Sequence, residues 1–364
     1  MVGNSVESLD TPSLVVDLDA FERNLRECAG RLAGRVALRP HLKTAKSPVV
    51  ARRLLEAGAH GICVAKLGEA EVMLEAGIPD VLITSELAGA LKSRRFAELV
   101  RAFPGLRLST VVDGAEGAEA VDEALRRAGC GAVDVLVDVN VGQDRCGVEP
   151  GGAAALAARL RACERLRLAG VQGYEGHLQH VRDPGERRRL CHQAMDRLAA
   201  AVGDLRAGGH AVDVVTTGGT GTAEFCAEHP VVTEVQPGSF AFMDADYLAT
   251  GGLPYVSALT VLATVISRPA ADRAVLDAGL KSLSDDSGPA RLVGVPGWSY
   301  RHAGDEHGVL TVDAPDPTPL RVGDRVALLP SHIDTTVNLH DRMYARRGGA
   351  IEEVWPVAAR GRVA

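Results

Sequence analysis

The residues best placed to do chemistry start with Arg39-Pro40-His41-Leu42-Lys43-Thr44-Ala45-Lys46, which follows the apolar run Val36-Ala37-Leu38. That run reads as a short buried strand. Pro40 has no N–H to give to a ladder and so marks the strand's end. Lys43 then stands just past a strand, among packed neighbours and beside Arg39 and Lys46. Desolvation and neighbouring cations both lower a lysine pKa. Such an amine is a nucleophile able to form a Schiff base with a carbonyl. The other reading of the same residues is a basic turn that stays in water.

Five more stretches carry reactive residue types. In Thr217-Gly218-Gly219-Thr220-Gly221-Thr222 the glycines let the backbone turn its N–H groups inward and the threonines add hydroxyls, as phosphate-binding loops do; a plain tight turn is the alternative. In Gly142-Gln143-Asp144-Arg145-Cys146-Gly147, Arg145 can donate to the phenolate of a phosphate-bearing aromatic cofactor, or simply lie in solvent. Tyr174-Glu175-Gly176-His177-Leu178-Gln179-His180 places two histidines three apart, and Gln236-Pro237-Gly238 follows later. In Pro330-Ser331-His332-Ile333-Asp334-Thr335 an extended chain turns His332 and Asp334 to one face. An imidazole and a carboxylate so placed suit a borderline divalent cation; a polar turn is the competing reading.

The elements that position these residues alternate in type. Strand candidates are Val36–Arg39, Gly61–Ala65, Asp80–Thr84, Arg107–Asp113, Val133–Val139, Leu168–Glu175, Val212–Gly218 and Val232–Phe242. Helical stretches separate them: 47–57 with Ser47 as cap, 67–76, 115–128, 151–165 and 184–207. This alternation predicts a (β/α)8 TIM barrel, whose active sites sit at the C-terminal strand ends and whose seventh and eighth loops often hold phosphate. An open doubly wound sheet would more often carry a GxGxxG turn after its first strand, and none is present. The pattern changes near residue 251. The tail offers strands at 258–267, 273–277, 308–312, 324–329 and 352–356, an α/β chain ending in a β-domain. The expected division is a barrel over 13–250 and a β-domain over 251–364, with residues 1–12 added to the latter.

Composition removes several function classes. The net charge of −7 gives nucleic acid no basic surface. No apolar run approaches a membrane span. The polar N-terminus has no signal-peptide core. The 7 cysteines are scattered without a CxxC pair, which suits a reducing cytoplasm rather than a disulfide framework.

Taken in order, the motifs Arg-Pro-His-Leu-Lys-Thr, Gly-Gln-Asp-Arg-Cys-Gly-Val, Gly-Tyr-Glu-Gly-His, Gly-Gly-Thr-Gly-Thr, Glu-Val-Gln-Pro-Gly-Ser-Phe and Pro-Ser-His-Ile-Asp-Thr resemble the D-threonine aldolase and D-serine dehydratase family over nearly the whole chain. These are pyridoxal-phosphate enzymes built like alanine racemase. The resemblance implies that Lys43 carries the cofactor as a Schiff base. It implies that Arg145 partners the phenolate oxygen, that Tyr174 lies near the ring, and that Thr217, Gly219, Thr220, Gly221 and Thr222 serve the phosphate. Gln236 stands where alanine racemases carry an arginine facing the pyridine nitrogen. His332 and Asp334 match the metal pair, and His180 the base near the substrate hydroxyl. One departure is Ala45, where the family usually has histidine.

The reaction so implied is retro-aldol cleavage of a D-β-hydroxy-amino acid, D-threonine giving glycine and acetaldehyde. Dehydration is the rival. Dehydratases of the family tend to carry cysteine at position 334, and aspartate there favours Mn²⁺ or Mg²⁺, with Zn²⁺ or Co²⁺ as alternatives. A racemase would need a second base that no motif supplies. A non-catalytic cofactor carrier would lack the β-domain and its metal pair. The family also implies a homodimer, the β-domain of one subunit closing the barrel mouth of the other.

Overall fold

Strand β1 (Ser13–Asp17) belongs to a sheet taken up below. The next eight strands are β2 (Ala37–Leu38), β3 (Ile62–Val64), β4 (Asp80–Ile83), β5 (Arg107–Val112), β6 (Val133–Asp138), β7 (Leu166–Gln172), β8 (Val214–Thr217) and β9 (Glu234–Val235). The structure is a computed structural model that describes all 364 residues. It places these strands in the order β2-β9-β8-β7-β6-β5-β4-β3, every pair parallel. A parallel bridge between His41 and Cys63 joins the two ends, so the sheet closes into a barrel. The eighth strand is much shorter than the expected run to Phe242. It stops before Pro237, and Ser239–Ala241 is a 3-10 turn.

The strands read as apolar runs because both of their faces are covered. One residue from each of β3 to β6 (Cys63, Leu82, Val111, Leu136) forms a buried cluster, with Ala169 and Val214 against it. Charge gathers at the beginnings of β4, β5, β6 and β9, and Arg39, just past β2, pairs with it. Buried Arg39 pairs with Asp80 at 2.6 Å and Glu234 at 2.9 Å. Arg107 joins Asp80 at 3.2 Å and Asp134 at 2.7 Å. This alternation satisfies an arginine that would be costly to bury alone. It also corrects an expectation, because Arg39 spends its charge on Asp80 and Glu234 and not on Lys43.

The chain packs as two units. Cys28–Lys43, Ala51–Gly238 and Arg362–Ala364 make the barrel unit, and Met1–Glu27, Thr44–Val50 and Ser239–Gly361 make the other. Ser13–Asp17 lies in the second unit, since β1 pairs with Leu259–Leu262 on one side and Met343–Arg346 on the other. Expected Ser47 capping is not made: its hydroxyl is buried without a hydrogen-bond partner, and Pro48 opens the helix Pro48–Glu56. The helices Leu18–Leu32 and Ala90–Ala102 are additional to those expected.

In the second unit the strands are β10 (Leu259–Ala270), β11 (Arg273–Leu276), β12 (Arg291–Val293), β13 (Trp298–His302), β14 (Gly308–Val312), β15 (Arg325–Leu329), β16 (Arg342–Arg347) and β17 (Ala350–Pro356). The sheet runs β13-β14-β11-β10-β1-β16-β17, and β15 pairs with β10 and β12. Its core includes Val15, Leu262, Tyr344 and Ile351, while Phe21 packs against Phe242 and Trp355. Fold and topology together are those of a (β/α)8 barrel with a β-domain.

Candidate active site

The loops after the barrel strands gather the expected residues at the C-terminal end. Lys43 follows β2. It is exposed, while Leu42 and Thr44 on either side are buried. The expected desolvation of the amine is therefore not seen: packing fixes the backbone and leaves the side chain open. His180 is likewise exposed, just past the 3-10 turn Gly176–Leu178. His177 packs beside Gly142.

The loop after β8 is held by a buried carboxylate. Glu175, fully buried, accepts from Thr217 Oγ1 at 2.8 Å, Thr222 Oγ1 at 2.5 Å and the Gly218 N–H at 3.4 Å. Gln179 takes the other side, donating to Thr222 Oγ1 at 2.8 Å and accepting the Gly221 N–H at 2.9 Å. Buried Arg187 donates to the Gly221 carbonyl at 2.8 Å. Two glycines are required for this shape. Gly218 has φ +81°, and a Cβ on Gly221 would lie 2.3 Å from the Gln179 carbonyl oxygen. Thr217 and Thr222 thus turn their hydroxyls inward as braces. The glycine N–H groups expected to face a phosphate are spent on those braces instead, Gly218 on Glu175, Gly219 on Thr222 Oγ1 at 3.1 Å and Gly221 on Gln179. Glu175 and Gln179 had no role assigned from the sequence. The only local signal was a carboxylate and an amide four apart beside an apolar strand.

A second chain of side chains ends on Gln236. Its Nε2 donates to Gln172 Oε1 at 3.2 Å and to Thr216 Oγ1 at 2.8 Å. Gln172 in turn donates to Asp138 Oδ1 at 2.9 Å and the Thr84 carbonyl at 3.4 Å. Both Gln236 amide hydrogens are committed, so the group it can still offer is its Oε1. Burial, with the charges of Glu86 and Asp113 adding to it, pushes Asp138 up to about 8. Glu86, Asp113 and Cys146 each place one donor atom within 4.8 Å of the others. Nearby, the exposed Arg145 guanidinium lies 5.7 Å from the centre of the Tyr174 ring.

His332 and Asp334 lie in the second unit, and not on the extended segment expected. His332 has extended backbone, but the helix Ile333–Val337 starts directly after it. That helix begins there because buried Asp244 accepts the Ile333 N–H at 3.1 Å and the Tyr247 N–H at 2.9 Å. Burial pushes Asp244 up to about 6, with the charge of Asp334 adding to it. Burial alone would lower the His332 pKa. The charge of Asp334, the hydrogen bond and charge of Asp286, and the charge of Asp244 outweigh it and raise the value.

The two donor sets fit different groups. An exposed amine at a strand end and a braced glycine turn at the same barrel end fit an aldehyde that carries a phosphate. The His332 imidazole, with the Asp286 carboxylate 2.5 Å away and Asp334 on the following helix, makes a nitrogen and oxygen donor set of the kind that fits a divalent cation.

Comparison with known proteins shows the family. Residues 16–246 match the family described as alanine racemase, N-terminal domain, and residues 258–346 match a serine dehydratase domain. The chain is 45% identical to a D-threonine aldolase of Arthrobacter sp, covering 99% of this chain and 95% of the relative. It is 35% identical to a 3-hydroxy-D-aspartate aldolase of Paracoccus denitrificans (strain Pd 1222), covering 99% and 94%. The solved structure of D-threonine aldolase from Filomicrobium marinum superposes with a TM-score of 0.96 at 42% identity, covering 100% of this chain and 99% of that one. The chain therefore belongs to the D-threonine aldolase and D-serine dehydratase family of alanine-racemase-like pyridoxal-phosphate enzymes.

Proposed function

We propose that this protein is a carbon–carbon lyase that cleaves D-β-hydroxy-amino acids between Cα and Cβ, with pyridoxal phosphate on Lys43 and a divalent cation on His332 and Asp334. D-threonine would give glycine and acetaldehyde. One observation carries the reading: a lysine past β2 and the Glu175-braced glycine turn past β8 share one end of one barrel.

When bound, pyridoxal phosphate supplies an electron sink for the charge left at Cα. A divalent cation supplies a Lewis acid that lowers the pKa of a hydroxyl it binds. This chain's residues do the rest. Lys43 offers the amine that tethers the cofactor. The turn of Gly219, Thr220 and Gly221, stiffened through Thr217 and Thr222, would hold the phosphate, although its Gly219 and Gly221 N–H groups already donate to Thr222 Oγ1 and Gln179 Oε1. Arg145, Tyr174 and Gln236 would help hold the cofactor, Gln236 with its Oε1 still able to accept. His180, open to solvent, takes the proton of the substrate β-hydroxyl directly or through a water. Carboxylate beside imidazole at the cation pair favours Mn²⁺ or Mg²⁺. A homodimer is part of the same reading, resting on the family resemblance, and light scattering on the eluting protein reads it directly.

The match of residues 258–346 to a serine dehydratase domain keeps dehydration as the second reading. Product analysis separates the two. Incubation with D-threonine, pyridoxal phosphate and Mn²⁺ should release glycine and acetaldehyde in equal amounts. Ammonia with a 2-oxo acid, and no glycine, would establish the dehydratase instead.

A further inference from the structure

Asp286 lies 46 residues before His332, in the connection between β11 and β12. Its Oδ2 is 2.5 Å from His332 Nδ1. Its Oδ1 accepts from Thr335 Oγ1 at 2.9 Å and Ser284 Oγ at 2.5 Å. The carboxylate is thus held at both oxygens. The segment that carries it is stitched to the segment that carries His332. The Ser284 N–H donates to Thr336 Oγ1 at 3.2 Å, Ser331 Oγ donates to the Ser284 carbonyl at 3.3 Å, and His340 Nε2 lies 2.8 Å from the Ser282 carbonyl oxygen.

An imidazole can ligate a cation through only one nitrogen while the other donates its proton. A carboxylate can only accept, so a bond from His332 to Asp286 puts the proton on Nδ1 and leaves the lone pair on Nε2. The bond to the His332 ring comes from Asp286, while Asp244 accepts the backbone N–H groups of Tyr247 and Ile333. Asp244 sets where the helix of Asp334 begins, and Asp286 sets which way the imidazole faces.

We propose that Asp286 is the positioning residue of the cation site: it fixes the His332 ring and tautomer so that Nε2 faces a divalent ion shared with Asp334. The proposal rests on the reading that His332 and Asp334 hold a cation. Carboxylates that orient a ligating histidine contribute about 10–100-fold to metal affinity.

The test is Mn²⁺ binding by the full-length protein loaded with pyridoxal phosphate, followed by calorimetry and by the free-Mn²⁺ electron paramagnetic resonance signal. Asp286→Ala should weaken Mn²⁺ by about 10–100-fold. Asp286→Asn keeps an acceptor for Nδ1–H without the charge, so it should fall between Asp286→Ala and the parent. The cofactor absorption should not move in either variant. Parental affinity in Asp286→Ala, with binding lost in Asp334→Ala, would overturn the positioning role alone. Loss in Asp286→Ala as complete as in Asp334→Ala, without rescue by asparagine, would overturn it too, making Asp286 a ligand. A parent protein that binds no Mn²⁺ would overturn the cation reading and the proposal with it.

Discussion

The barrel's glycine turn and the His332 cluster use the same kinds of side chain to opposite effect. Around the turn, Glu175, Gln179, Thr217 and Thr222 are all buried, and they spend their polar atoms on one another and on the loop backbone. At the His332 cluster the His332 side chain is 32% and that of Asp286 44% exposed, and the Asp286 carboxylate meets an imidazole and two hydroxyls rather than backbone. A buried, fully satisfied network makes a rigid seat, because any broken bond leaves an unpaired polar group. A half-exposed cluster can take and release an ion, with water filling the positions left open. On the proposed function, the barrel end would keep its ligand and the cluster would exchange one.

The sharpest way to break this comparison is at the tether. Lys43→Ala should lose the visible cofactor band that borohydride fixes to the protein, and all turnover with it. A variant that kept the fixed band on another lysine would remove Lys43 from the account.

The next effect is at the seat. Glu175→Ala leaves the Thr217 and Thr222 hydroxyls and the Gly218 N–H without their acceptor, at a cost of about 3 kcal/mol or more. We expect a lower melting temperature and cofactor lost on gel filtration, with Glu175→Gln partly restoring both. Unchanged cofactor retention in Glu175→Ala would show that the turn does not depend on its brace.

The smallest effect concerns pH. Asp138 sits at about 8 in the folded chain because burial disfavours its ionised form, ahead of the Glu86 charge. Its folded value is raised above the unfolded one. The stability gained by keeping it protonated is thus complete below about pH 4 and is lost as pH rises through 8. Asp138→Asn cannot ionise, yet still accepts from Gln172. Its melting temperature should fall less between pH 6 and pH 9 than that of the parent. Equal falls would show that Asp138 does not control this window.

What was legible in the sequence follows the same contrast. The eight barrel strands stood out because a parallel strand covered on both faces must be apolar throughout. Strands β12, β13 and β16 did not, since charged or polar residues interrupt them: Trp298-Ser299-Tyr300-Arg301-His302 buries only its alternate aromatics. The residues with reactive groups were legible because each lies in a short motif. Their supports were not. Glu175 acquires its role only when Thr222, 47 residues on, folds against it, and Asp286 only when His332 arrives. The exposure of Lys43 and the pairing of Arg39 with Asp80 and Glu234 likewise depend on which way a side chain leaves the backbone. Neighbouring residue types do not encode that.

The most direct measurement of the central claim, that seat and ion cluster are separate, is to strip the cation from holoenzyme with a chelator. The visible band and D-threonine cleavage are then followed in the same sample. Aldehyde release should stop while the band persists, and Mn²⁺ or Mg²⁺ should restore turnover. Full-rate cleavage by the chelated enzyme, or loss of the band together with the metal, would contradict it.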